Sequence, residues 1–242
     1  MAGGTDRGRS RRTNQDSIFY DQNFGVGIIA DGIGGRKGGE IASSLAVSHV
    51  RKSLQDGQSV RSDETRQFMI NVIDRANLAI MSKGEQSKTH AGMGTTINCL
   101  WFRKKTLFLG HVGDSRTYLF YKGNMWQLTL DHNVGQFLER GWLKSSSLPN
   151  NWKGQALVRA LGLSSYCDVD VYQRSIQPGE IYITASDGLF DMVRDHEICQ
   201  LVNKNFDNLR NLPKILIKEA NRRGGRDNIT VLISKVVDEQ NE

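Results

Sequence analysis

Apolar residues that alternate with polar ones, or follow one another in short runs, predict β-strands along much of the chain. The predicted strands cover residues 17–21, 24–30, 95–102, 106–112, 116–129, 169–176, 180–186 and 228–237. The segment 116–129 contains Gly123 and Asn124, which indicate a hairpin turn between two aromatic flanks. Since many of these segments are separated by only a few residues, antiparallel pairing is favoured over crossover connections.

A second pattern, with apolar residues three and four positions apart, predicts amphipathic helices over 39–54, 63–83 and 208–223. A shorter helix is predicted after Asp195, with that aspartate as its N-cap. One helical pair follows the first strands and the other lies near the end of the chain. This order predicts an α+β fold in which antiparallel sheets carry helices on their outer faces.

The composition indicates a single globular domain spanning residues 1–242. The chain has only 3 prolines and no linker-like run, while 38% of its residues are hydrophobic and 24% are charged. Residues 131–161 interrupt the pattern of strands and helices with a long polar segment. Segments of that length are typical of lids and binding loops.

Cysteine usage and hydropathy bear on where the protein works. The 3 cysteines show no CxxC spacing, which indicates neither a disulfide framework nor a cysteine-rich zinc site. The sequence contains no apolar run long enough to cross a bilayer and no secretory leader behind its basic first residues. We therefore expect a cytoplasmic protein that makes no membrane contact.

The positive charge of the chain leaves nucleic-acid binding open. The net charge is +6, and two arginine-rich segments, 7–12 and 222–226, each lie within a few residues of an aspartate, Asp16 or Asp227. Such clusters more often form a solvated surface than a binding site. The glycine-rich segment 32–39 lacks both the residue order of a P-loop and the βαβ context of a dinucleotide fold, which disfavours nucleotide binding.

Four aspartates stand at the ends of predicted strands beside Gly, Ser or Asn. Asp31, Asp114 and Asp187 follow a strand, and Asp227 precedes one. Each alone is typical of a turn, but carboxylates gathered at neighbouring strand ends would repel one another unless a cation neutralised them. Mg²⁺ and Mn²⁺ prefer such oxygen ligands. The spacing leaves two possibilities open: separate turn residues, or ligands of one divalent-metal site.

A series of short motifs makes the sequence resemble a known family. The motifs are GRSRRTNQDS, ADGIGGRKGGEIAS, MGTT, VGDSRTY, DHN, RALG, ASDGLFD and GRDNITV. In this order they resemble the metal-dependent type 2C serine/threonine protein phosphatases in their compact bacterial form. The resemblance runs from about Gly8 to Val231 and implies a four-layer α/β/β/α sandwich, with two central antiparallel sheets and a flap at 131–161.

The resemblance also implies a reaction and a set of ligands. The family hydrolyses phosphoserine and phosphothreonine by attack of a hydroxide that bridges two Mn²⁺ or Mg²⁺ ions. By motif position, Asp31 resembles the carboxylate that bridges both metals, and the carbonyl of Gly32 resembles a ligand of the second. Asp187 and Asp227 would complete the shell of the first metal. Asp16 would hold the waters of the second metal.

The remaining site expectations concern a third metal, the phosphate and the leaving group. Asp114 matches a ligand of a third, weaker metal that it shares with Asp187. Arg11 fits the arginine that grips the substrate phosphate, since a guanidinium fork suits phosphoryl oxygens. Arg36 replaces the histidine of many bacterial relatives, which leaves the proton donor open. His132, in the DHN motif, is our candidate for assisting the leaving group.

The resemblance extends to partners. It implies a phosphorylated protein substrate and, as partner, a serine/threonine kinase or the targets of that kinase. We expect a monomer that binds no nucleic acid. The alternative from the binding class is a pseudophosphatase, which keeps the fold and recognises phosphoproteins without turning them over. The presence of Arg11 and of the candidate metal ligands disfavours that alternative.

Overall fold

Two antiparallel sheets of five strands form the centre of the protein. A computed structural model describes residues 1–33, 38–86, 88–148 and 153–238. The first sheet has the strand order β1 (Ala2–Asp6), β10 (Ile229–Lys235), β9 (Ile181–Ala185), β6 (Arg116–Tyr121) and β7 (Asn124–Gln127). The second has the order β2 (Asp16–Asp21), β3 (Val26–Asp31), β4 (Ile97–Arg103), β5 (Thr106–Val112) and β8 (Asp170–Ser175). All neighbouring strands pair antiparallel, as the short connections predicted.

Helices cover the outer face of each sheet. The α-helices are α1 (Gly39–Asp56), α2 (Thr65–Glu85), α3 (Val134–Glu139), α4 (Asp187–Phe190), α5 (Asp195–Lys204) and α6 (Leu212–Arg222), and 3₁₀ turns occupy Gly57–Ser59, Ser145–Ser147 and Phe206–Asn211. Helices α1 and α2 share one hydrophobic cluster with the second sheet, and α5 and α6 share another with the first. The predicted α/β/β/α sandwich is therefore confirmed.

Strand β4 shows how the two-residue period of a strand builds the layers. Ile97, Cys99 and Trp101 are buried in the cluster beneath α1 and α2. The alternate side chains point the other way: Leu100 is buried between the sheets, and Asn98 donates hydrogen bonds there to Ser115 O and Thr117 Oγ1. The strand is thus buried on both faces.

The layer between the sheets changes from apolar to polar along the strands. Leu100, Leu109 and Tyr182 fill one end. Two residues after Leu109 on β5, His111 is fully buried. Its Nδ1 contacts Asn98 Oδ1, and its Nε2 lies 2.9 Å from the backbone carbonyl oxygen of Leu130. Polar side chains buried in this layer need hydrogen-bond partners inside the protein. They lie at the end of the layer nearer the aspartates.

Two local predictions differ from the structure. The hairpin turn lies at Lys122 and Gly123, because these two residues take the positive φ angles of 49° and 80° that such a turn requires. Asp195 is the first residue of α5 and not its N-cap, since its carboxylate accepts a hydrogen bond from the Tyr118 hydroxyl at 3.0 Å. The N-cap is Arg194, whose backbone N–H donates to the carboxylate of Glu197 at 3.0 Å.

Strand β1 has no counterpart among the predicted strands. Its sequence, AGGTD, holds two glycines and no apolar alternation. It forms because its backbone pairs with β10 along the edge of the first sheet, from Ala2 opposite Ile233 to Asp6 opposite Ile229. None of the helices in the described ranges is long and apolar enough to cross a membrane.

Candidate active site

The aspartates selected from the sequence converge at one end of the sandwich. Asp16 begins β2 and lies opposite Asp31, the last residue of β3. Asp187 begins α4 directly after β9, Asp114 lies in the turn between β5 and β6, and Asp227 precedes β10. Because antiparallel strands of both sheets start or finish here, residues from five parts of the chain meet.

Burial and charge repulsion within this cluster raise the pKa of several of its carboxyl groups. Burial is the main cause that raises the pKa of Asp31 well above its usual range, and repulsion from Asp16, Asp187, Asp114 and Asp227 adds to it. Burial likewise raises the pKa of Asp187, with repulsion led by Asp114 and Asp227. Without a cation, these groups cannot all carry their charge.

The surroundings of Asp16 test whether a metal fits this cluster. Its Oδ2 accepts hydrogen bonds from the hydroxyls of Thr230 at 2.6 Å and Ser186 at 2.8 Å. Its Oδ1, like Oδ1 of Asp187, is buried and has no hydrogen-bond partner among the described residues. Buried polar atoms are normally satisfied, and a hard divalent cation would satisfy two carboxylate oxygens. The donor set therefore fits Mn²⁺ or Mg²⁺.

The carboxylates are close neighbours but not a finished coordination shell. Within the described ranges, no three His, Cys, Asp or Glu side chains are arranged as a ready-made metal site. The assignment of single ligands accordingly stays a prediction.

Gly32 lies where no other residue fits. Its N–H donates to the backbone carbonyl of Gln15 at 3.1 Å. A Cβ at this position would lie 2.3 Å from the carbonyl oxygen of Gly39 and 2.7 Å from that of Gln15. Close packing of the backbone at Gly32 against the backbone at Gln15 and Gly39 thus explains one glycine of the glycine-rich sequence after Asp31. No side chain can be accommodated at this position beside Asp31.

Arg11 reaches the cluster through Asp227. The Nη2 atom of Arg11 donates to Asp227 Oδ2 at 2.5 Å, and this hydrogen bond is the main cause that raises the pKa of the guanidinium. The amide of Asn228 fixes the loop that carries Arg11, because its Nδ2 donates to the carbonyls of Arg7 at 2.8 Å and Thr13 at 2.9 Å. The predicted phosphate-binding residue therefore lies beside a predicted metal ligand.

A small pocket beside Asp114 contains residues that the sequence did not suggest. Arg116 and Asp131 form an ion pair there, with Arg116 Nη2 2.7 Å from Asp131 Oδ2. The lining residues are Asp114, Arg116, Asp131, Asn133, Gln155, Asp187, Phe190 and Asp191. Burial, then repulsion from Asp131, raises the pKa of Asp114 to about 7. No motif spacing links Arg116 to Asp131, since only the β6–β7 hairpin brings them together.

Asp191 is part of this pocket and caps no helix N-terminus. From its place in the ASDGLFD motif, Asp191 is expected to cap a helix N-terminus in preference to supporting the metal ligands. It follows the last residue of α4, and its N–H donates to the carbonyl of Asp187 at 2.9 Å. Burial raises the pKa of its carboxyl. The expected N-cap is therefore not observed, and Asp191 lines the pocket instead.

The predicted role of His132 as a proton donor stays a prediction, and its surroundings bear on it. The imidazole is completely buried, its Nδ1 accepts the N–H of Gly113 at 3.1 Å, and its Nε2 contacts Asp170 Oδ2 at 3.1 Å. Both ring nitrogens therefore already have partners inside the protein. Arg36, the other residue connected with the proton donor, lies outside the described residues.

Comparison with known proteins supports the interpretation of the site. A family model described as Protein phosphatase 2C matches residues 4–229. The serine/threonine phosphatase stp of Listeria welshimeri is 32% identical over 234 residues, 95% of this chain and 92% of that protein. The solved structure of the Mycobacterium tuberculosis serine/threonine phosphatase PstP/Ppp has a TM-score of 0.85 at 28% identity, over 98% of each chain. The PstP catalytic domain in complex with 2 manganese ions has a TM-score of 0.84 at 29% identity, over 98% of this chain and 97% of that one.

Fold and site together define a phosphatase built on a cluster of carboxylates. The chain belongs to the protein phosphatase 2C family. The resemblance seen in the sequence motifs is confirmed, and the sandwich fold, the phosphatase activity and the divalent-metal cofactor expected from it are those of this family.

Proposed function

We propose that this protein hydrolyses phosphoserine and phosphothreonine in proteins and that it depends on Mn²⁺ or Mg²⁺. The observation that carries the proposal is the convergence of five aspartates, two of which hold a buried oxygen without a hydrogen-bond partner in the described part of the chain. The names of the related proteins, serine/threonine phosphatases in each case, support the substrate class.

The proposed ligand set follows the positions of the carboxylates. Asp31 lies among the other four aspartates, which suits a carboxylate shared by two metals, and the Gly32 carbonyl adds a second oxygen. Asp187 and Asp227 would complete one shell. Asp16, oriented by two hydroxyl donors, would hold the waters of the other metal. Asp114 and Asp187 would hold a third, weaker metal beside the small pocket.

The bound metals supply Lewis acidity, which lowers the pKa of coordinated water and offsets charge on the phosphoryl oxygens. The side chains of the protein would position the phosphate and the metal ligands. Arg11 stands 2.5 Å from Asp227, so its guanidinium is held at the edge of the cluster and offers its remaining N–H groups to a phosphate. Thr230 and Ser186 keep Asp16 in one orientation, as residues behind a metal ligand commonly do.

Further features of the biological setting belong to the proposal. We place the protein in the cytoplasm as a monomeric single domain of residues 1–242, acting against a serine/threonine kinase or its targets. Cys99, Cys167 and Cys199 are all free thiols, which is in keeping with a reducing compartment.

Hydrolysis of a phosphothreonine peptide tests the proposed function. We expect turnover with Mn²⁺, none with EDTA, and a loss of at least about 100-fold in the Asp187→Asn variant, the upper range for residues that merely support a ligand. The exposed Asp63, which pairs with Arg61, provides a matched control as Asp63→Asn. Turnover that is independent of metal would contradict the mechanism. Tight binding of the phosphopeptide without turnover under any condition would favour the pseudophosphatase.

A further inference from the structure

The two arginine-rich segments of the sequence meet in the folded protein. The N–H groups of Arg9 and Ser10 both donate to the carbonyl of Gly225, at 2.7 and 3.2 Å. Gly8 and Gly225 permit this close approach: each has a positive φ, and a Cβ on Gly8 would lie 2.1 Å from the carbonyl of Asp227. Residues that are more than 200 positions apart therefore form one surface beside Asp227.

Within the described ranges, three arginines of this surface have neither an ion pair nor a side-chain hydrogen bond, and the carboxylates of Asp6 and Asp191 act on them only at longer range. Arg9, Arg12 and Arg226 are exposed, and within the described ranges no carboxylate lies at ion-pair distance from any of them. We call these three residues the arginine rim. Arg222 and Arg223 differ, because they are neutralised by Glu219 and Glu197.

The arginine rim is anchored at the phosphate site. Arg12 follows Arg11, the proposed phosphate ligand, and Arg226 precedes Asp227, which pairs with Arg11. Asn228 holds both ends of the loop that carries Arg9 and Arg12 through the carbonyls of Arg7 and Thr13. The backbone thus presents three exposed cations that neighbour Arg11 and Asp227 along the chain.

Building on the phosphatase function proposed above, we propose that the arginine rim binds acidic side chains next to the phosphorylated residue and so directs the enzyme to acidic phosphoprotein segments. The physical basis is charge complementarity, which raises association rates and selects partners more than it adds affinity. An exposed pair contributes a factor of roughly 1.5 to 5. Three arginines acting together would then give a preference of about tenfold at low salt.

Peptide substrates that differ only in flanking charge test this proposal. Three phosphothreonine peptides carry Glu, Gln or Lys on both sides of the same core sequence. With Mn²⁺ and low salt, we expect kcat/KM to fall in the order Glu, Gln, Lys, with about a tenfold ratio between the Glu and Gln peptides. Raising salt to about 0.5 M should reduce the ratio to about twofold, because exposed charges are screened.

A matched pair of variants separates the rim from the overall positive charge. The rim variant replaces Arg9, Arg12 and Arg226 by Gln. The control variant replaces Arg66, Arg75 and Arg210 by Gln, which removes the same charge from exposed residues on α2 and the 3₁₀ turn at Phe206–Asn211. We expect the Glu/Gln ratio to fall to about twofold in the rim variant and to stay near tenfold in the control.

The possible failures can be told apart. If the wild-type protein with Mn²⁺ hydrolyses neither p-nitrophenyl phosphate nor the Gln peptide, the proposed phosphatase function is wrong. If it hydrolyses both but shows no preference for the Glu peptide, or if the control variant loses the preference as much as the rim variant, the role of the rim is overturned. Binding of a single-stranded RNA oligomer to the rim, without discrimination among peptides, would overturn it in favour of a nucleic-acid site.

Discussion

Asp16 and Asp31 occupy facing positions on the adjacent antiparallel strands β2 and β3. Side chains that face each other across such a ladder have Cβ atoms about 4.5 to 5.5 Å apart, and like charges in this arrangement are destabilising. Burial raises the pKa of both carboxyls, to about 6 for Asp16. The two carboxylates therefore lower the free energy of unfolding unless protons or cations neutralise them.

The first prediction is that Asp31→Asn stabilises the metal-free protein and abolishes its response to metal. In EDTA the variant lacks one of the repelling carboxylates, so its free energy of unfolding should equal or exceed that of the wild type. At a Mn²⁺ concentration about 100 times the dissociation constant, the wild type should gain about 2.7 kcal/mol, and the variant almost none. Thermal unfolding with and without Mn²⁺ measures both. A variant that is destabilised in EDTA would contradict the account of repulsion.

The second prediction concerns pH and the carboxyl of Asp114. Its pKa is about 7 in the folded protein against 3.8 as the ordinary value. Between these values the folded state binds a proton that the unfolded state has released, so the metal-free protein loses stability as pH rises from about 4 to about 7. In Asp114→Asn this contribution is absent.

Comparing the two proteins isolates that effect. Titrating groups on which Asp114 does not act, such as His111 with its lowered pKa of about 3, contribute equally to the wild type and to Asp114→Asn. Asp187 differs, because the variant relieves it of repulsion from Asp114, and this change acts in the same direction. The melting temperature of the variant in EDTA should therefore rise relative to the wild type as pH increases through this window, and the difference should level off above pH 7. A difference that is independent of pH would show that Asp114 ionises normally.

The third prediction is that Thr230→Val weakens metal binding beyond its effect on stability. The Thr230 hydroxyl donates to Asp16 Oδ2 at 2.6 Å. Its loss should cost about 1 to 3 kcal/mol and raise the Mn²⁺ concentration for half-maximal activity about 10-fold or more. Thr117→Val is the control, because that hydroxyl is also buried between the sheets but bonds to Asn98 and Thr184. An equal increase in the Mn²⁺ concentration for half-maximal activity in both variants would contradict a specific role of Thr230.

Elements that depend on neighbouring residues could be predicted from the sequence, whereas elements that depend on residues far apart in the chain could not. Helices α1 and α2 were found within two residues of their observed ends, because their apolar period is local. Strand β1 was missed, since only pairing with β10, more than 200 residues away, makes AGGTD a strand. The same limit applies to the site: Asp31 and Asp187 could be chosen from strand ends, whereas the Arg116–Asp131 pair depends on a hairpin register.

The fourth prediction is that Gly32→Ala impairs both folding and metal binding. The added Cβ would lie 2.3 Å from the Gly39 carbonyl oxygen, which is backbone and cannot rotate away. Backbone at Gly32 must shift, and with it the neighbouring Asp31, at a cost of about 1 to 3 kcal/mol. Gly4→Ala is the matched control, since its Cβ would meet side chains and no backbone: the end of Ile217 at 3.1 Å and Pro213 Cβ at 3.7 Å. Chemical denaturation and Mn²⁺ titration of both variants provide the comparison.

The fifth prediction follows from the buried position of His132. Its Nδ1 accepts the N–H of Gly113, the residue before Asp114, and its own backbone N–H donates to the Gly113 carbonyl at 2.8 Å. The backbone carbonyl of His132 accepts the N–H of Val158 at 2.7 Å. These bonds connect the Asp114 turn with the flap segment 131–161, so we expect His132 to position other groups and not to donate a proton to the substrate itself.

His132→Asn distinguishes positioning from acid catalysis, because asparagine keeps an acceptor near Nδ1 but cannot act as an acid. A general acid matters most when the leaving group is poor. We expect the variant to lose the same factor in kcat with p-nitrophenyl phosphate, which has a good leaving group, as with a phosphothreonine peptide, which has a poor one. A loss about 10-fold larger for the peptide would restore His132 as the proton donor.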